Sequence, residues 1–161
     1  MAAYKGDLAK AKLLMANGVD PNGELDHGLT PLHLAAQHNR KEVAEFLISQ
    51  GADVNIDRSD AHSITCGTPL NFAALQGHLE FCEMLIIQGA NVNAASFDWI
   101  TFYPGTAALH EAARGGHPAL VKLLIANGAQ VNQATKKQGL TALHLAKNKA
   151  VAELFIANTA D

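Results

Sequence analysis

Apolar side chains along this chain return at helical spacing, in paired bursts separated by polar loops. The stretch PLHLAAQ at 31–37 puts Leu32, Ala35 and Ala36 on one helical stripe, with small residues that let a neighbouring helix come close. Pro31 and Pro69 suit a first helical turn, where a missing N–H costs little. A tight turn follows at Gly77 and Gly116, positions expected to need positive φ; Asn39 holds that place in the first full unit, because asparagine tolerates the same region. A second apolar stripe comes next, with Val43, Phe46 and Leu47 matched by Phe81 and Leu85 and by Leu120 and Leu124. Gly51, Gly89 and Gly128 then stop the helix as C-terminal caps. The predicted unit is therefore helix, turn, helix and loop.

The unit repeats. Residues 30–55, 68–93 and 107–132 align without gaps, and residues 6–22 and 141–158 are partial copies, the latter lacking three residues near Lys147–Lys149. That deletion predicts a tightened or missing last inter-helix turn. One such hairpin cannot bury both of its apolar faces, so the units are expected to stack into a single solenoid domain over 1–161. Its units span approximately 1–22 (partial), 23–55, 56–93, 94–132 and 133–161 (partial). The first starts partway through, at Ala2 and Ala3, so the chain reads as the core of a longer protein.

GLTPLHLAA followed by GADVN resembles the ankyrin repeat, and the likeness recurs in register along nearly the whole chain. The resemblance implies an all-α solenoid of helix pairs with β-hairpin or loop fingers on one side. It also implies a protein-binding scaffold that touches partners with finger tips and the adjoining concave inner-helix surface. His33, His110 and His144 occupy the family's Thr-Pro-Leu-His slot, where the ring is expected to hydrogen-bond finger backbone; Asn71 fills that slot once. On the same analogy Gln37, His38, Leu75, Gln76 and Arg114 line the groove. Asn22, Asn55, Asn93 and Asn132 close the loops, each eight residues after a leucine, and this spacing resembles the sites of an asparaginyl β-hydroxylase. The competing expectation is a structural one, with each amide bonded to backbone.

The units differ in their connectors. Residues 23–29 and 133–140 make seven and eight, whereas 56–67 and 94–106 make twelve and thirteen. Insertions confined to neighbouring loops map to one face, often the binding face. Going from seven to thirteen residues costs only about 0.5 kcal/mol of closure entropy, so length alone does not prove function. Composition says more. Of nine aromatic residues, Phe97, Trp99, Phe102 and Tyr103 fall within 96–106. Together they represent ~600–1,000 Å² of surface, against about 300–600 Å² for a monomer's largest apolar patch. They fold back on the molecule, or dock a partner, or do both, with Trp99 and Tyr103 as the expected anchors. Asp57, Arg58, Asp60 and His62 make the preceding finger polar, either a solvated loop or a rim beside those anchors.

Composition narrows the remaining classes. A net charge of −3 gives no electrostatic reason to expect nucleic acid or an anionic membrane, and the apolar runs fall short of a membrane span. Two cysteines make no disulfide framework, which favours an intracellular setting. Cys66 lies four residues from His62, but no second pair completes a zinc site. No catalytic motif or phosphate loop appears, so no catalytic residue, cofactor or metal is expected. The expected partner is a protein or peptide, met by a monomer, with a homodimer as the alternative. The competing role is an assembly segment of a larger multidomain protein, such as an effector that bacteria deliver into host cells.

Overall fold

The computed structural model describes residues 2–25, 28–57, 67–96 and 105–158. Nine α-helices follow one another among them: α1 (Ala2–Lys5), α2 (Leu8–Ala16), α3 (Pro31–Gln37), α4 (Lys41–Ser49), α5 (Pro69–Gln76), α6 (Leu79–Ile87), α7 (Ala108–Gly115), α8 (Pro118–Ala126) and α9 (Lys149–Asn158). A 3₁₀ turn, Ala142–Leu145, takes the place of the last inner helix. Inner elements α1, α3, α5, α7 and the 3₁₀ turn pack in sequence order, and each outer helix packs on the inner element of its own unit.

The two stripes read from sequence are the core. Leu32, Val43, Leu47, Leu70, Phe81, Leu85, Leu109, Leu120 and Leu124 are all buried, while Phe46 is partly covered. Each large apolar side chain so buried contributes about 1.5–3 kcal/mol. The alanine pairs Ala35–Ala36, Ala73–Ala74 and Ala112–Ala113 have no exposed surface, as close helix approach requires. Asn39 has φ 55°, and Gly77 and Gly116 take φ 77° and 79°. At Gly77 space matters as much as backbone angle, since a Cβ there would lie 2.5 Å from the His117 ring. The outer helices end as predicted: Gly51 has φ 93°, with Gly51 N–H donating to Ile48 C=O and Ala52 N–H to Leu47 C=O, both at 3.0 Å.

Polar contacts recur from junction to junction, in two rows. In the loop row, the Asn55 amide donates to Gly89 C=O (3.0 Å) and accepts from Asn91 N–H (2.7 Å). Asn22 does the same to Gly51 and Asp53, and Asn93 to Gly128 and Gln130, at 2.8–2.9 Å. Asn132 is exposed and makes no such pair of bonds among the described residues. The second row runs along the inter-helix turns, where the C-terminal carbonyls of an inner helix lack intrahelical partners. Arg40 Nε donates to Tyr4 C=O, His78 Nε2 meets Gln37 C=O, His117 Nε2 meets Leu75 C=O and Asn148 Nδ2 donates to Gly116 C=O, all at 3.0–3.2 Å.

Asn148 also corrects the expectation for the last unit. The three-residue deletion leaves the inter-helix connection in place, extended at Ala146, and instead shortens the inner helix to its 3₁₀ turn. Asn148 keeps the outer-helix register, because its Oδ1 accepts from Val151 N–H (3.0 Å) while its amide reaches back to Gly116.

The Thr-Pro-Leu-His slot joins units a third way. His33 Nδ1 accepts from Thr30 N–H (3.1 Å) and lies 2.9 Å from the Thr30 hydroxyl, so Nε2 carries the proton to Gly67 C=O at 2.8 Å. In His110, Nδ1 accepts from Ala107 N–H, but Nε2 faces the carbonyls of Leu140 and Gln133 without good hydrogen-bond geometry to either. Burial pushes the ring's pKa below the ordinary 6.5, outweighing those carbonyls, so the fold favours the neutral ring of His110.

Two outcomes follow from the junctions. Asn55→Ala or Asn93→Ala should cost about 1–2 kcal/mol in urea unfolding, from two lost hydrogen bonds, whereas Asn132→Ala should change stability by under about 0.5 kcal/mol. Between pH 6.5 and the lower folded value, the unfolded chain protonates residue 110 while the folded one does not. Stability therefore falls as pH drops below 6.5. His110→Asn, the residue that Asn71 supplies in the same slot, should reduce that fall in unfolding measured at pH 7.5 and pH 5.

Candidate functional site

The two long fingers differ in how they are rooted. At the base of 56–67, Asp57 Oδ1 accepts from Gly67 N–H at 3.2 Å, and Gly67 C=O takes the His33 proton. Burial of the carboxyl raises the Asp57 pKa against the opposing effect of that N–H, although the residue as a whole is exposed. Arg58, Asp60 and His62 lie outside the described residues, as does Cys66.

The base of 94–106 is a clasp. Ser96 and Thr106 form an antiparallel bridge, with Ser96 N–H donating to Thr106 C=O (2.9 Å) and Gly105 N–H to Ser96 C=O (2.7 Å). Ser96 and Thr106 are 3% and 2% exposed. Asn71 grips the clasp from α5: its amide donates to Ser96 Oγ at 3.1 Å and Thr106 C=O at 3.2 Å, while its Oδ1 accepts the Thr68 hydroxyl at 2.6 Å. A histidine in this slot reaches one finger carbonyl through one N–H; the two-proton amide holds both strands of the stem. Phe97, Trp99, Phe102 and Tyr103, of which Trp99 and Tyr103 are the expected anchors, lie outside the described residues.

The groove candidates stand at the C-terminal ends of successive inner helices. Gln37, His38, Leu75 and Arg114 are partly buried and Gln76 is exposed. Gln37 and Leu75 accept the histidine bonds of the inter-helix row through their backbone carbonyls, so their side chains are positioned by the scaffold itself. The His38 ring packs edge-on against Tyr4, centroids 4.4 Å apart. Arg114 Nη2 and Nε lie 2.5 and 3.1 Å from Glu111 Oε2. Sequence reasoning passed over Glu111, which is 5% exposed and occupies the place of Leu34, Phe72 and Leu145 in the other units. A carboxylate so covered is tolerated only when paired. Phe72, edge-on to His33 at 5.3 Å, was passed over too. Both could have been found by comparing the units slot by slot, where a charge among aliphatics and one aromatic stand out.

Among the loop asparagines named as hydroxylation candidates, Asn22, Asn55 and Asn93 have both ends of the amide engaged in the junction row. Cys82 is fully buried in α6, and burial pushes its thiol up to about 12, which keeps it protonated. No group of three metal-ligating side chains gathers among the described residues, and no helix among them is long and apolar enough to cross a membrane.

Comparison with known proteins matches this geometry. A family model described as ankyrin repeats, in three copies, covers residues 1–96 and 98–161. The p105 subunit of nuclear factor NF-kappa-B from Gallus gallus is 35% identical over 117 residues, 73% of this chain and 11% of that protein. Myotrophin from Xenopus tropicalis is 44% identical over 52 residues, 32% of this chain and 44% of that protein. A palmitoyltransferase, AKR1 of Naumovozyma castellii, is 48% identical over 60 residues, 37% of this chain but 8% of that protein. The chain thus spans less than half the length of each of these relatives. Stacked helix pairs, under a family model that matches nearly the whole chain, make this chain a member of the ankyrin-repeat family.

Proposed function

We propose that this chain, in the protein–protein interaction role that ankyrin repeats generally play, binds a partner protein or peptide across its concave inner-helix row and its two long fingers, with 94–106 as the energetic centre. The observation that carries this reading is the clasp at Ser96 and Thr106. A loop that drifted to greater length needs no buried, doubly tied stem, whereas a loop that presents side chains to a partner gains from a fixed base. Trp99 and Tyr103 are the proposed anchors, each joining a large apolar area to a polar tip. Phe97 and Phe102 extend that surface. Asp57, Arg58, Asp60 and His62 form the polar rim, and Gln37, His38, Leu75, Gln76 and Arg114 the adjoining groove. A charged pair at Glu111–Arg114 beside apolar Leu75 and Phe72 suits a peptide that brings both an aliphatic contact and a hydrogen-bonding group.

Trp99→Ala should weaken the complex with a partner captured from the source cell by about 2 kcal/mol or more, roughly 30-fold, and leave the thermal midpoint nearly unmoved. A large fall in midpoint with affinity unchanged would assign the ring to the fold instead.

A further inference from the structure

The connectors change sign along the stack. Residues 23–29 carry Glu24 and Asp26, 56–67 carry Asp57, Arg58 and Asp60, and 94–106 carry Asp98, whereas 133–140 carry Lys136 and Lys137. Helices follow the same trend. Residues 1–104 hold twelve carboxylates against six lysines and arginines, while 105–158 hold two carboxylates, Glu111 and Glu153, against six.

The basic connector is a closed turn. Thr135, 3% exposed, ties it together: its N–H donates to Leu140 C=O (2.8 Å), Gly139 N–H donates to its C=O (3.0 Å) and Leu140 N–H to its Oγ1 (3.0 Å). Lys136 and Lys137 stand exposed on that turn. Lys136 packs against the base of the aromatic-rich finger, since a Cβ on Gly105 would lie 3.0 Å from its Cγ. At the opposite end of α7, Lys147 N–H donates to Ala113 C=O (3.1 Å), and its side chain lies over Gly116, where a Cβ would be 3.3 Å from its Cδ. Among the described residues no carboxylate pairs with Lys136, Lys137 or Lys147. Glu111, the acid on α7, is 5% exposed and held by Arg114, so it offers little opposing charge.

We propose that Lys136, Lys137 and Lys147 form a basic seat for an acidic segment of the partner protein, an inference that rests on the protein-binding reading above. The lysines bracket α7, whose eight residues make it about 12 Å long. An extended peptide covers that length in about four residues. The segment therefore carries carboxylates at about that spacing, with an apolar side chain between them beside Leu75. A protein suits the seat better than a nucleic acid. A polyanion long enough to follow the stack would be repelled by the acid-rich units before residue 105, whereas a short acidic stretch meets only the last two units.

The probe is the dodecapeptide GEELEELEELEG, titrated into the full chain at physiological salt and followed by amide resonances in NMR spectra. It should shift Gly105, Lys136, Lys137, Gly139 and Lys147 saturably, whereas the lysine counterpart GKKLKKLKKLKG should not. Lys136→Glu with Lys137→Glu should weaken binding at least about tenfold, while Lys10→Glu with Lys12→Glu, the same charge change on exposed positions of α2, should alter it less than about twofold. Equal loss in the two double variants would reduce the effect to net charge and overturn the proposal, as would shifts that map elsewhere or no saturable shift. Tighter binding of a twelve-nucleotide oligothymidylate at the same lysines would overturn it in favour of nucleic acid. Trp99 takes no part in this titration, so failure here leaves the Trp99→Ala test standing, and failure of that test leaves this one readable.

Discussion

A helix pair with an apolar stripe on each helix has nowhere to put both stripes unless another pair lies beside it. Everything in this structure depends on that junction between neighbouring units. Alanine pairs bring the inner helices together, and leucines from both layers fill the seam. Burial alone is indifferent to direction, so it does not fix how one unit sits on the next. Direction comes from the polar contacts: the loop asparagines, the residues that start each outer helix, and the histidine or asparagine of the Thr-Pro-Leu-His slot. Each satisfies backbone groups that helix ends and tight loops leave open. A junction built this way can be repeated with little regard to what the loops carry.

That independence is what makes room for function. Lengthening a connector adds only a logarithmic entropy term, while the junction beneath it keeps its buried area and its hydrogen bonds. The two extended connectors are anchored differently. His33 donates a single hydrogen bond to the base of 56–67, which Asp57 also holds, whereas Asn71 donates two to the base of 94–106, a bridged stem buried between units. Beside it the Glu111–Arg114 ion pair puts a carboxylate in a slot that the other units fill with the apolar Leu34, Phe72 and Leu145. Departure from the repeat is thus concentrated around one junction, the one the aromatic-rich loop springs from.

Most of the fold was legible because periodicity and turn chemistry agree in every unit: the stripes, the caps and even the left-handed Asn39 follow from local rules. What sequence could not supply was the consequence of removing three residues near Lys147–Lys149. Asn148, by bonding both Gly116 and Val151, fixes where α9 starts, so the shortage is taken from the inner helix. The site was only partly legible. Connector length drew attention to two loops and aromatic content to 94–106, but the grip of Asn71 on Ser96 and Thr106 joins residues 25 and 35 positions apart, which no local pattern announces. Glu111 escaped for the opposite reason: its spacing is ordinary, and only its burial makes it unusual.

The central claim is that stability resides in the junctions and recognition in the loops. Excising residues 98–103 tests it most directly, since this returns the connector to seven residues and leaves Ser96, Gly105 and Thr106 in place. The account predicts a urea unfolding midpoint and slope close to those of the intact chain, together with loss of the proteins that the intact chain retains from its source cell. Unfolding at clearly lower urea with those proteins still bound would contradict it.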